Sequence, residues 1–341
     1  MKKYSRLLLP LLVILAWFAP AWVSQELLIQ IFCMALFASA FNLLFGYGGM
    51  LSFGHAAFYG VGAYITAYLM KILEFGLPLL AILAGGVGAA ILAFVIGSLA
   101  VRRHGVYLAM ITLALAEVVS FTVHQLPLGG EDGLQGVPRG MLLGVIDLSN
   151  ANAMYAFVVC IFAVCMWALY RIIRSPFGHM LQAIKDNEQR MISLGCDVIR
   201  CKVTAFVLSG FFAGIAGSTK TLAFHFAALG DVHWHKSGEV VLMTLLGGIG
   251  SFAGPAVGAV IVVLLSDTLA FLNEWVNFIL GAIFLACVLL FREGVVGTIS
   301  RASSPPAHAT EAARSGLQAA WGSAQMPATP GSSADTGGKE K

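Results

Sequence analysis

Charge is scarce in this sequence. Of 341 residues only 11% are Asp, Glu, Lys or Arg, against 59% hydrophobic, and the mean hydropathy is +0.86. A soluble domain carries about 25% charged residues, so this chain lacks the polar surface of a water-soluble globule and reads as an integral membrane protein. A net charge of +3, with no basic tract interleaved with aromatics, gives no ground for nucleic-acid binding. The alternating runs of about ten residues that mark a membrane β-barrel are missing. The apolar runs are instead continuous, so the expected fold class is all-α: a polytopic transmembrane helical bundle lying in a lipid bilayer.

Chemistry is equally scarce. The six cysteines (Cys33, Cys160, Cys165, Cys196, Cys201 and Cys287) form no C-x-x-C pair, and buried apolar thiols describe them better than a disulfide framework or metal site. No G-x-x-x-x-G-K-[ST] phosphate loop occurs: the lone Gly-Lys pair, Gly338-Lys339, is followed by Glu340. There is no nucleophile elbow, dinucleotide fingerprint or metal-ligand cluster. The chain is therefore not expected to be an enzyme, to hold a catalytic residue or metal, or to hydrolyse ATP by itself.

What is present is a series of apolar runs. A bilayer core needs roughly 20 apolar residues in helix, which places spans near 7–23, 27–45, 50–70, 77–101, 105–125, 152–170, 203–227 and 275–291. Residues 239–272, broken by glycines and Pro255, fit one span or two. Lys2, Lys3 and Arg6 before a run ending Ala19-Pro20-Ala21 resemble a secretory signal. Trp17, Phe18 and Trp22 crowd that site, so 1–23 is read as an uncleaved first helix. Lysine and arginine orient the rest. Arg102 and Arg103, and six basic residues over 171–202, belong inside, whereas 126–151 and 228–238 belong outside. Arg292 and Arg301 argue for an inner C-terminus, and that parity favours ten crossings. Residues 24–300 then form the membrane domain, and 301–341, rich in Ala, Ser, Gly, Pro and Thr, read as a disordered cytoplasmic tail.

The inner segment 175–195 carries helix punctuation. Ser175 suits an N-cap and Pro176 the first helical position; Asn187 can cap a second short helix and Gly195 the left-handed stop. Leu181 and Ile184, then Met191 and Leu194, set apolar side chains on one face of each helix. That face either packs on the chain's own membrane domain or fits a groove on a partner protein.

Two glycine-rich stretches match: GGMLSFGHAAFY at 48–59 and GGIGSFAGPAVG at 247–258 share Gly-Gly, two residues, then Ser-Phe. Broken segments in corresponding halves suggest inverted repeats meeting near the midplane; the rival reading is close helix packing by small residues. Irregular backbone is tolerated in a membrane only where buried or lining a water-filled path. Gly48, Gly49, Ser52, Phe53, Gly54 and His55, with Gly247, Gly248, Ser251 and Gly254, are thus expected to border a translocation route. His55 is read as a packing histidine in preference to a proton relay. Two ionisable residues lie deep in spans: Glu117 about 18 Å and Lys220 about 26 Å along their helices from the inner ends. A Glu117–Lys220 pair is within reach, though snorkelling of Lys220 to the outer interface is preferred, and Glu117 is expected to matter for transport.

The stretch SPFGHMLQAIKDNEQRMISLGCDVIRCKVTAFVLSGFFAGIAGS resembles the cytoplasmic coupling loop and next span of bacterial ABC-importer permeases for branched-chain amino acids. FNLLFGYGGMLSFGHAAFYGVGAY at 41–64, RRHGVYLAMITLALAEVV at 102–119, GGEDGLQGVPRG at 129–140 and LLGGIGSFAGPAVGA at 245–259 match the same family in order, and the whole resembles its LivM-like branch. The resemblance implies an inner-membrane complex. Its other members are a sister permease, ATP-binding subunits that hold ATP and magnesium, and a substrate-binding protein outside; the cargo is leucine, isoleucine or valine. It also implies that the Asp186-Asn187-Glu188 triplet, with Ser175, Pro176, Phe177, Gly178, Leu181, Ala183, Ile184 and Gly195, docks on an ATP-binding subunit. Gln189, Arg190 and Met191 replace the alanines usual after that glutamate. Related urea or amide permeases share these motifs, and a self-sufficient ion-coupled transporter using Glu117, Lys220 and His55 is the rival from another class.

Overall fold

The computed structural model describes residues 24–74, 76–126, 132–142 and 146–270, with isolated positions beyond. The expected first helix at 1–23, most of the span at 275–291 and the tail at 301–341 lie outside the described residues, as do 127–131.

Eight long or half-length helices and two short ones make the described bundle. These are α1 (Gln25–Asn42), α2 (His55–Lys71), α3 (Pro78–Ala100), α4 (Val106–Gln125), α5 (Ala151–Ile173), α6 (Pro176–Asp186), α7 (Glu188–Ser193), α8 (Val198–Phe224), α9 (Trp234–Gly247) and α10 (Gly254–Thr268); α6 and α7 are the short pair. Among the described residues five segments are long and apolar enough to cross a membrane: α1 with its continuation to Tyr47, α3, α4, α5 and α8. This is an all-α polytopic membrane bundle. Among the described residues, two-residue ladders lie in the connectors, β1 (Leu134–Gln135) with β4 (Phe226–Ala227) and β2 (Met141–Leu142) with β3 (Ile146–Asp147). In that connector the Ser149 N–H donates to the Asp147 carboxylate, which holds the acid below the usual carboxylate range.

Burial ranks the helices. α1 is hydrophobic all round and buried almost throughout, which makes it the central post. α3, α4 and α5 bury one stripe each and leave Leu83, Ile91, Phe94, Phe121 and Trp167 exposed, as lipid-facing helices do. α2, α3 and α8 approach closely through small residues. A Cβ on Gly62 would lie 2.5 Å from the Gly214 carbonyl oxygen, and one on Gly210 2.4 Å from the Ala93 methyl.

Local capping follows the sequence. Asn150, Ser175, Asn187 and Asp197 accept backbone N–H groups at the starts of α5, α6, α7 and α8. Pro78, Pro176 and Pro255 occupy first-turn positions, and Gly195 takes φ +82° after α7.

Three expectations need correction. Residues 50–70 are not one continuous span: α1 ends in a π-turn (Leu43–Tyr47), 48–54 run as a non-helical turn, and α2 begins at His55. The second glycine region likewise folds as two half-length helices; 14 and 15 residues reach only about 21–22 Å, short of a core of about 30 Å. The first of them starts at Trp234, inside the connector read as outer. Asp231 there is buried, because its charge meets Lys220.

The two glycine turns are also not inverted. Val232, just before α9, packs at Gly60, and Tyr59 stacks on Phe37 of α1. At its other end α9 leads into Gly250, which bonds Asn42 of α1. Thus α9 runs parallel to α1, and both hairpins turn at one end of the bundle. Within each, the motif builds the same device. The second glycine has positive φ (Gly49 +68°, Gly248 +114°), and the serine oxygen accepts the N–H two or three residues on (Ser52 from Gly54, Ser251 from Gly254).

Candidate functional site

The two basic loops meet at one end of the bundle. His104, between α3 and α4, lies 3.5 Å from Glu188, the first residue of α7. The opposite end holds the β1–β4 ladder, where the Val137 N–H donates to the His225 carbonyl. Both placements agree with the charge-derived orientation.

At the basic end, α6 and α7 form a hairpin beneath the first glycine turn. The apolar face of α6 turns inward: Leu181 is 0% and Ile184 3% exposed. A Cβ on Gly48 would sit 3.4 Å from a Leu181 methyl, so leucine and turn are already in contact. Leu181 and Ile184 therefore seat the hairpin on its own membrane domain rather than offering knobs to a partner. Gly178 is buried against the end of α5, where a Cβ would come 2.1 Å from the Ile173 carbonyl oxygen. The outward apolar groups are Ile192 and Leu194, 51% and 71% exposed.

The acidic triplet divides its work. Asp186 is exposed, Asn187 caps α7 by accepting the Arg190 N–H, and Glu188 faces inward. Its carboxylate accepts from the Lys202 ammonium at 2.7 Å, a lysine whose side chain is 7% exposed at the start of α8. Burying a cation at that depth requires a partner, and Glu188 supplies it. One carboxylate thereby ties α7 to α8 and to the α3–α4 loop.

Between hairpin, turn and loop lies a cavity of about 480 Å³. Gly48, Gly49, Phe53, Ile184 and Glu188 line it with Arg103, His104, Lys185 and Lys202. The α6–α7 hairpin and the first glycine turn are thus neighbours across one space. Ser52, Gly54 and His55 stand outside it. His55 is fully buried, with Nε2 2.6 Å from the Ser209 hydroxyl and its ring edge-on to Phe41 and Phe58. The Ser209 hydroxyl donates to the Ala40 carbonyl at 2.5 Å and so accepts from Nε2. The buried His55 Nδ1 has no hydrogen-bond partner among the described residues.

Gly247 and Gly254 are buried against one another, a Cβ on Gly247 falling 1.8 Å from the Gly254 carbonyl oxygen. Ser251 and Gly248 complete that turn, which is tied to the end of α1 through Asn42: its Oδ1 accepts the Gly250 N–H at 3.1 Å and its Nδ2 donates to the Ser251 carbonyl at 2.9 Å.

The ionisable residues of the spans pair differently from expectation. The Lys220 ammonium contacts both oxygens of Asp231, at 2.6 and 2.7 Å, and lies 5.6 Å from the Phe226 ring. It neither reaches Glu117 nor snorkels free. Glu117 is half-exposed, 3.9 Å from His233, and its Oε1 has no hydrogen-bond partner among the described residues. Asn42, Asp231 and Lys202 were not singled out by role from sequence. The available signal was a polar or charged residue inside or beside an apolar helix, which in a membrane demands a partner.

Comparison with known proteins follows this geometry. Residues 24–288 match the family described as branched-chain amino acid transport system / permease component. The high-affinity branched-chain amino acid transport system permease protein LivM of Salmonella typhimurium is 26% identical over 86% of this chain and 75% of its own length. LivH of Escherichia coli is 25% identical over 77% of this chain and 91% of its own. The ribose import permease protein RbsC of Bacillus subtilis is 29% identical over 49% of this chain and 51% of its own. No solved structure matches. A multi-pass bundle with this inner hairpin, matched over 24–288, belongs to the family of ABC-type import permeases described as the branched-chain amino acid transport permease component.

Proposed function

We propose that this chain is a LivM-like permease subunit of an importer that carries leucine, isoleucine or valine across the bacterial inner membrane. In this reading ATP and magnesium are bound by separate ATP-binding subunits, a sister permease completes the pathway, and a substrate-binding protein delivers cargo outside. The observation that carries it is the α6–α7 hairpin: capped at both starts, seated by Leu181 and Ile184 beneath a glycine turn, with Asp186, Gln189, Ile192 and Leu194 facing outward. A hairpin fixed on one face and free on the other suits force received from a docked subunit. Relatives named for branched-chain amino acids match over more of the chain than those named for ribose and fructose, which favours the amino-acid cargo. The turns at 48–54 and 247–254 border the route in this reading, with Phe53 facing the inner cavity. A self-sufficient ion-coupled transporter finds less support, because Lys220 is neutralised by Asp231 and His55 is packed against Ser209.

The test is reconstitution. The chain is purified with whatever co-purifies from its native membrane and placed in proteoliposomes with the binding protein. Leucine uptake that requires ATP and the ATP-binding partner is expected. Uptake by the single chain on an ion gradient alone would overturn the reading, and urea or amide uptake without leucine uptake would correct the cargo.

A further inference from the structure

At the inner end of α1 three elements converge on a few atoms. The Lys185 ammonium, on the coupling helix α6, donates to the Gly46 carbonyl at 2.8 Å. Its stem lies across Gly49, where a Cβ would sit 2.9 Å from Lys185 Cγ. Gly46 in turn touches both neighbours: a Cβ there would fall 2.0 Å from Asn42 Oδ1 and 2.8 Å from the Gly250 nitrogen. Asn42 is almost fully buried and spends both ends of its amide on the second glycine turn, at Gly250 and Ser251. Between Asn42 and Gly46 the helix widens into the π-turn Leu43–Tyr47, a form that recurs at functional sites and leaves terminal carbonyls to be satisfied from outside.

We propose that Lys185 and Asn42 are positioning residues that join the coupling helix to both glycine turns, so that α6, the π-turn and 248–251 move as one body. The physical reason is stiffness. Lys185 supplies a charge-assisted bond to a carbonyl that the π-turn leaves open, and Asn42, itself almost fully buried, supplies two bonds to the second turn. A displacement of α6 therefore pulls on the first turn directly through Gly46 and Gly49, and on the second through Asn42. Leu181 and Ile184 provide the seat, but apolar contacts slide where hydrogen bonds hold register. This inference rests on the reading of the chain as an ATP-driven permease, and it assigns to named residues the link between the docking hairpin and the second turn.

The experiment measures ATP hydrolysed per leucine imported by the complete reconstituted importer. Lys185→Met and Asn42→Leu should raise that ratio about tenfold, the size of a typical coupling term, while the complex still assembles and hydrolyses ATP at close to the wild-type rate. Lys185→Arg, which keeps the donor, should restore the wild-type ratio. The double variant should be no worse than the worse single one, because both residues act in one link. Lys185 is at the surface, so its variants test the link even if Asn42→Leu fails to fold. A wild-type ratio in Lys185→Met would overturn the proposal, and so would loss of the ATP-binding subunits from that variant, which would make Lys185 a docking residue. A wild-type complex that shows no ATP-dependent uptake at all would instead refute the functional reading and take this inference with it.

Discussion

Removing the carboxylate of Asp231 isolates a charge. The Lys220 side chain is 13% exposed and that of Asp231 5%, and the ammonium meets both carboxylate oxygens. With Asp231→Ala the cation keeps only the Phe226 ring at 5.6 Å, and breaking a buried pair from one side costs about 3–5 kcal/mol. Asp231→Asn retains an acceptor but not the charge and should fall between wild type and alanine. Removing both charges, as Lys220→Met with Asp231→Leu, should return stability to within about 1 kcal/mol of wild type or above it, since apolar replacements of a buried pair are neutral or better. The assay is thermal unfolding of the purified chain in detergent. The alanine variant should melt at least about 5 °C lower, with the double variant close to wild type. An alanine variant as stable as wild type, or a double variant as unstable as the single, would show that the two groups do not depend on one another and would refute the argument.

Five further outcomes are expected. Ile192→Asp with Leu194→Asp should abolish co-purification of an ATP-binding subunit while leaving the melting temperature unchanged. Leu181→Asp should instead destabilise the permease itself, because that side chain is fully buried; pull-down and thermal unfolding separate the two effects. Gly247→Ala should cost about 1–3 kcal/mol, its Cβ falling 1.8 Å from the Gly254 carbonyl oxygen. Gly238→Ala in the same helix meets nothing within 4 Å and should stabilise by about 1 kcal/mol, read by the same melting assay. Glu117→Gln should lower leucine uptake with normal membrane insertion; wild-type uptake by an inserted glutamine variant would remove Glu117 from the route.

Features that depend on neighbours three or four residues away were legible in the sequence. Ser175, Pro176, Asn187 and Gly195 punctuate α6 and α7 as expected, because caps and left-handed stops are local geometry. The shared Gly-Gly-x-x-Ser-Phe motif likewise builds the same positive-φ turn and serine cap in both places. The motif carries no record of direction, however, and so it does not by itself distinguish inverted copies from parallel ones. The apolar stripe Leu181–Ile184 shows that a face is buried without showing what buries it. The partner of Lys220 was missed for a related reason. Asp231 lies past the left-handed reversal at His225, in a segment that looks like an outer loop until the chain folds it back against α8.

Low charge and continuous apolar runs by themselves determined that this chain crosses a membrane as helices, because lipid offers no partners for an exposed backbone. Capping residues set where the short helices start and stop. Tertiary structure alone decided which helix is central, that both glycine turns share one end, that Glu188 holds Lys202, and that Asn42 ties the end of α1 to the second glycine turn. Each of those depends on contacts between residues distant along the chain, and a pattern of residue types specifies that a polar group must be satisfied but not which distant group satisfies it.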